Sequence, residues 1–269
     1  MGIWRKPNSM SLVFIVLGTL MLLFIFVPLV KTIFSSSPGT LWNTLLEEDV
    51  YSSILLTISA ALMATLMGLL FGVPLAYLLA RRQFRGKRFL EAIIDVPIVI
   101  PHTAAGVALL FVFGSNFLCG KVFDGIGIDF FRTFAGIVIA MMFVSVPFLI
   151  DSAKEGFKAV DVRLEKVART LGASPWRVFF RISLPLAWRS IFSGSVLMWA
   201  RGLSEFGAIV IIAYSASFLG WNTKVLPILV ADRFDFGLDY TLPVAALAIL
   251  ISLIAFIALR SIAYRGEKP

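Results

Sequence analysis

The sequence predicts an all-α, polytopic membrane protein with six transmembrane helices, and three observations lead there. Of 269 residues, 59% belong to the apolar set AVILMFWYC and 15% are charged, against roughly 45–50% and about 25% in a soluble domain. Six windows are long and apolar enough to cross a hydrocarbon layer, which takes about 20 residues. The basic residues between those windows lie mostly on one side. So much apolar surface does not fit inside one soluble core, which excludes a secreted disulfide scaffold, a disordered chain and a nucleic-acid-binding domain. The single cysteine, Cys119, forms no internal disulfide and says nothing about redox compartment. The net charge of +8 reads as basic loops on a membrane protein.

The windows run in order. Residues 11–30 carry no charge and follow Arg5 and Lys6, a layout shared with signal peptides. The run is longer than a typical signal core and no A-x-A site follows, so it reads as a retained span. Residues 52–80 are uncharged, 93–114 carry Asp95 near their start, and 134–150 are again uncharged. Residues 190–213 carry Arg201 and Glu205, and 241–259 complete the set. With a cytoplasmic N-terminus, eighteen of the 24 Lys and Arg fall inside. These are Arg5, Lys6, the cluster from Arg81 to Arg88, the eight basic residues from Lys154 to Arg189, and Arg260, Arg265 and Lys268. Five fall outside, and Arg201 lies within a span. Both termini are therefore expected in the cytoplasm of a multi-pass cell-membrane protein. The whole chain, 1–269, reads as one transmembrane domain with a cytoplasmic loop at about 151–189 and an external loop at about 214–240.

The loop 151–189 carries more than hydropathy. Residues 155–171 have helix-compatible composition, Gly172 interrupts them, and Ser174-Pro175 has the form of an N-cap followed by proline at the first helical position. Leu184-Pro185 is expected to end or kink the second helix before span five. The loop thus reads as helix, glycine turn, helix. By periodicity alone it is either a hairpin on the membrane surface or a docking element for a soluble partner.

Two further segments hold polar groups inside apolar spans. Arg201 and Glu205 are four residues apart, which on one helix places them on one face as a pair. A charge within the bilayer is expensive and faces protein or a water-filled cavity, so the pair either fixes helix packing or lines a pathway. Gly202 and Gly207 suit close helix approach. In span three Pro97 and Pro101 invite a bend, either a packing kink or a gate. His102, the only histidine, is expected as a hydrogen-bonding core residue or a pathway residue. No G-x-x-x-x-G-K-[ST] phosphate loop fits around Gly86-Lys87 or Gly120-Lys121, so any ATP chemistry belongs to a partner.

The string Lys166-Val167-Ala168, three residues, Gly172, nine residues, Ile182-x-Leu184-Pro185 resembles the signature loop of ABC-importer permeases: E-A-A, three residues, Gly, nine residues, I-x-L-P. Lys166 stands at the family Glu, with Glu165 beside it, and Val167 replaces the first Ala. The run from Leu171 to Arg177, the stretch from Pro97 to Pro101 and Arg201-x-x-Ser204-Glu205-Phe206-Gly207-Ala208 look like the molybdate/tungstate permeases and their sulfate relatives. The resemblance implies a homodimer, two copies of a cytoplasmic ATP-binding subunit that holds ATP and Mg, and an extracytoplasmic oxyanion-binding protein. It implies no cofactor in this chain. Coupling to the ATPase would fall to Glu165, Ala168, Gly172, Ala173, Ser174, Pro175, Trp176 and Arg177, with Trp176 alternatively a membrane-interface anchor. The path and gate would comprise Pro97, Pro101, His102, Arg201 and Glu205. The polar external segment 214–240, with its apolar stretch 225–231, would form part of the docking surface, or else a solvated loop with one interfacial helix. Two other classes remain. One is a proton-coupled secondary transporter with Arg201, Glu205, Asp95 and His102 as relay, which the absence of an internal repeat disfavours. The other is a membrane enzyme, which lacks a catalytic cluster.

Overall fold

Hydropathy places helices in the bilayer, because every backbone N–H and C=O there must be satisfied within the segment. The computed structural model describes residues 9–115 and 117–264. Arg5, Lys6, Arg265 and Lys268, which contribute to the charge bias, lie outside the described residues. The elements are α1 (Ser9–Ile33), α2 (Pro38–Leu45), α3 (Glu48–Arg81), α4 (Lys87–Val99), α5 (His102–Phe113), α6 (Leu118–Asp124), α7 (Phe134–Ala159), α8 (Val162–Thr170), α9 (Pro175–Val178), a π-helical turn over Phe179–Ser183, α10 (Leu184–Leu203), α11 (Gly207–Ile212), the short antiparallel hairpin β1 (Ala216–Phe218) and β2 (Trp221–Thr223), α12 (Leu226–Phe234) and α13 (Leu238–Tyr264).

Among the described residues four helices are long and apolar enough to cross a membrane: α1, α3, α7 and the 238–259 part of α13. The bent pair α4 and α5 makes a fifth if counted as one span. The expected third span is therefore not a straight helix. Its halves meet at 113°. Ile100, which precedes Pro101, is extended (φ −71°, ψ 149°), as the residue before proline is driven to be. The fifth window is also broken. α10 begins earlier than expected, at Leu184, and stops at Leu203, and α11 restarts at Gly207. The fourth span runs on to Ala159, taking Asp151, Lys154, Glu155 and Lys158 into the helix.

The core is the packing of α3 and α7 against α10 and α11. Leu56, Ala60, Ile137, Met141, Ala208 and Ile212 are fully or almost fully buried around one half, and Leu79, Leu149, Phe157 and Ile191 around the other. α1 touches α13 and buries no side chain, which suits a helix whose solvent is lipid. The two ends of the bundle differ in chemistry. At one end Arg81 meets Glu165 at 2.7 Å and Lys154 meets Asp151 at 2.7 Å. At the other, Arg233 meets Glu47 at 2.6 Å and Asp49 at 2.7 Å, and Ser52 donates to Thr223 at 2.9 Å. Lys224 bridges Asp232 and Tyr214 there. Burial lowers the Lys224 pKa, but these hydrogen bonds outweigh it and hold the ammonium above its ordinary value.

The segment 214–240 corrects one expectation, that of an interfacial helix at 225–231. Leu226 and Leu229 are buried with Val50, Ile54 and Val244, while Val225 and Ile228 are fully buried in the larger core cluster that contains Leu56, Ile137 and Ile212. The stretch 225–231 therefore packs into the bundle, with Leu226 and Leu229 between α3 and α13, and is not a free interfacial helix. Every residue of the stretch is apolar, and the backbone N–H of Leu226 donates to buried Thr57 at 2.8 Å.

Candidate functional site

The two helix breaks meet in space. Gly106 of α5 lies so close to α11 that a Cβ there would stand 2.6 Å from the Ala208 carbonyl oxygen, and a Cβ on Gly207 would stand 2.7 Å from the His102 Cβ. Small residues let backbones cross this closely within a membrane. Gly202 is different: a Cβ there would make ordinary contacts with Ala61 and Met141, so it is not needed for close approach. The crossing of α5 and α11 brings His102 against Arg201 and Glu205.

Glu205 is 1% exposed and holds the cluster together. Its Oε1 accepts from the Ala208 backbone N–H at 2.8 Å, in the first turn of α11. Its Oε2 lies 3.0 Å from Arg201 Nη2 and 2.7 Å from His102 Nδ1. Arg201 Nη2 also lies 2.7 Å from His102 Nδ1, and Nη1 donates to Ser204 Oγ at 3.3 Å. The pair expected from the i, i+4 spacing forms, but not on one continuous helix face, because the helix ends at Leu203. The loop 204–206 carries Glu205 under α11, where it can accept from both a guanidinium and a backbone donor. The side chains of Arg201 and His102 remain 25% and 30% exposed. His102 is thus a half-buried cluster member and not a core residue. Pro97 is buried within α4, whereas Pro101 is exposed at the bend. The arrangement offers a partly open cationic group fixed by a buried carboxylate. Among the described residues no group of three or more His, Cys, Asp or Glu could hold a metal ion.

The hairpin forms with corrected boundaries. The expected 155–171 helix divides at Val160, because Asp161 caps α8 by accepting from the Arg163 N–H at 2.8 Å. Gly172 has φ +85°, the left-handed conformation that glycine adopts without strain. Ser174 caps α9 by accepting from the Arg177 N–H at 3.3 Å, with Pro175 in the first turn. Leu184-Pro185 does not end the second helix. The π turn just before it absorbs the bond that proline cannot donate, and α10 continues through. Gly172, Ser174, Pro175, Trp176 and Arg177 are exposed, while Ala168 and Ala173 are half-buried. Trp176 is 73% exposed and stacks on Phe180 with ring centroids 6.0 Å apart. Glu165, named with the residues expected to couple to the ATPase, points inward and is buried.

Residues 68–265 match the family profile of the binding-protein-dependent transport system inner membrane component. The chain belongs to that family. This transport component is 41% identical over 266 residues to the molybdate/tungstate transport system permease protein WtpB of Pyrococcus furiosus, covering 98% of this chain and 99% of the relative. It is 36% identical over 200 residues to a probable sulfate transport system permease protein, cysT, of Chlorokybus atmophyticus, covering 74% of this chain and 68% of that one. Its fold is that of a chain in a bacterial alginate ABC transporter, solved in complex with an alginate-pentasaccharide-bound periplasmic protein. The TM-score is 0.75 at 16% identity, over 99% of this chain and 98% of that one.

Sequence reasoning missed the groups that hold this component's hairpin. Tyr77, Arg81 and Ser183 surround Glu165. The signal available was weak: an arginine as the last residue of a long apolar helix reads equally well as an interfacial anchor.

Proposed function

We propose that the chain is the permease subunit of an ATP-driven importer that takes up molybdate or tungstate by alternating access. One observation carries the reading: the 41% identity with a molybdate/tungstate permease runs over 266 residues, and so spans both the hairpin and the Arg201 cluster. In this reading the chain is one permease domain with six spans, α10 and α11 forming the broken fifth, and both termini are cytoplasmic. Two copies associate with each other, with two ATP-binding subunits that hold ATP and Mg, and with an extracytoplasmic oxyanion-binding protein. The hairpin tip supports the coupling role. Leu171, Trp176 and Val167 are 83%, 73% and 58% exposed, an apolar face outside the hydrocarbon region that a protein partner would cover. The bend at Pro97 and Pro101 acts as gate, and Arg201, with His102 beside it and Glu205 fixing it, faces the anion path. ATP binding by the partner draws the two hairpins together and biases the outward-open state.

A second reading, a sulfate permease, is favoured by the 36% identity with the sulfate relative. The test is reconstitution of the complete importer in proteoliposomes, with uptake of radiolabelled molybdate measured against unlabelled tungstate and sulfate. ATP-dependent molybdate uptake suppressed by tungstate supports the first reading. Uptake of sulfate in preference to molybdate supports the second. Uptake driven by a proton gradient without ATP overturns both.

A further inference from the structure

We propose that Glu165 is the joint through which the hairpin moves the transmembrane bundle: a positioning residue that fastens α8 to α3 and to the start of α10. This rests on the reading of the hairpin as the coupling element. α8 has nine residues, and the only side chain it buries is Glu165, at 8% exposure. Its apolar residues Leu164 and Val167 are exposed. The helix is therefore held to the bundle by polar ties and not by an apolar face.

Those ties converge from distant parts of the chain. Arg81, the last residue of α3, approaches Glu165 Oε1 with both Nε at 2.8 Å and Nη2 at 2.7 Å. Ser183, fully buried in the π turn before α10, donates to the same oxygen at 2.8 Å. The Tyr77 hydroxyl stands 3.5 Å from Oε2. Arg81 Nη2 also donates to the Val160 carbonyl at 3.1 Å, at the turn between α7 and α8.

The choice of chemistry has a mechanical consequence. Apolar contacts are non-directional and let packed elements slide, whereas hydrogen bonds from a planar guanidinium to a carboxylate fix geometry. A partner that displaces the exposed face of the hairpin thus moves the ends of α3 and α10 with it. α10 then carries the displacement along its length, roughly 30 Å at 1.5 Å per residue, from Ser183 to Arg201. The joint lies on the inner side of α8, so it serves transmission and leaves the partner-binding face alone.

The test uses the complete importer in proteoliposomes with molybdate as probe, and compares wild type with Glu165→Gln and Arg81→Gln/Glu165→Gln. The double variant leaves no lone buried charge, which is what makes single replacements in buried pairs destabilising. It is expected to retain its ATP-binding subunit and to hydrolyse ATP, while ATP consumed per molybdate imported rises by about fivefold or more, the range of ordinary site-to-site coupling. A wild-type ratio in the folded double variant overturns the proposal. If neither variant folds, Ser183→Ala, which leaves the ion pair intact and frees α10 from it, supplies the same readout, and an unchanged ratio overturns the proposal there too. A wild-type importer that takes up no molybdate would refute the functional reading and not the joint.

Discussion

Replacing Glu205 by alanine removes the one carboxylate that holds both Arg201 and His102. Breaking one side of a buried pair costs ~3–5 kcal/mol. Arg201 keeps a quarter of its side chain exposed, so water recovers part of that cost and the lower end applies, ~3 kcal/mol. The Ala208 N–H, 2.8 Å from Glu205 Oε1, also loses its acceptor, adding ~1 kcal/mol or more. At about 2–4 °C per kcal/mol, Glu205→Ala lowers the unfolding midpoint of the purified importer by roughly 10 °C. Glu205→Gln keeps an acceptor for Ala208 and isolates the charge, so its loss is expected to be smaller by the cap contribution. Arg201→Met/Glu205→Gln removes the stranded cation and is expected to recover most of the stability, because an apolar replacement of a buried ion pair is often neutral. The assay is thermal unfolding paired with molybdate uptake in proteoliposomes. A double variant no more stable than Glu205→Gln would refute the charge coupling. A folded double variant with full uptake would remove Arg201 from the path and leave the cluster a packing device.

Gly172→Val forces a β-branched residue to φ +85°, costing ~1–2 kcal/mol locally. It is expected to weaken co-purification of the ATP-binding subunit, with Gly172→Asn milder, and wild-type recovery of that subunit with valine would count against a strained turn. Gly106→Ala places a Cβ 2.6 Å from the Ala208 carbonyl and should destabilise the α5–α11 crossing by ~1–3 kcal/mol, read as a lower unfolding midpoint; an unchanged midpoint would show that the helices separate freely. In a chain lacking Cys119, cysteines at exposed Ile128 and Leu171 are expected to react with impermeant reagent from outside and only from inside, respectively. The reverse pattern would invert the topology.

Much of the hairpin was legible locally. Gly172 takes the left-handed turn that its residue type allows, Ser174 caps the helix that Pro175 begins, and Pro97 and Pro101 flank a real break. Such signals act within one turn of backbone, so the sequence carries them directly. The break at 204–206 was not legible, because no proline marks it and the i, i+4 spacing of Arg201 and Glu205 fits a continuous helix just as well. The burial of 225–231 was missed for a related reason: a run of apolar residues states that it leaves water, not whether protein or lipid covers it.

The sequence by itself determined which long segments are apolar enough to cross a membrane, because that follows from composition over windows of about 20 residues. It also determined the hairpin turn, through residue conformational preference. Only the tertiary structure decided that Glu165 turns inward to Arg81, 84 residues away, and that His102 reaches Arg201 across 99 residues. Contacts at such separations depend on how the helices pack, and a carboxylate in an apolar setting specifies that it needs a partner without specifying which one.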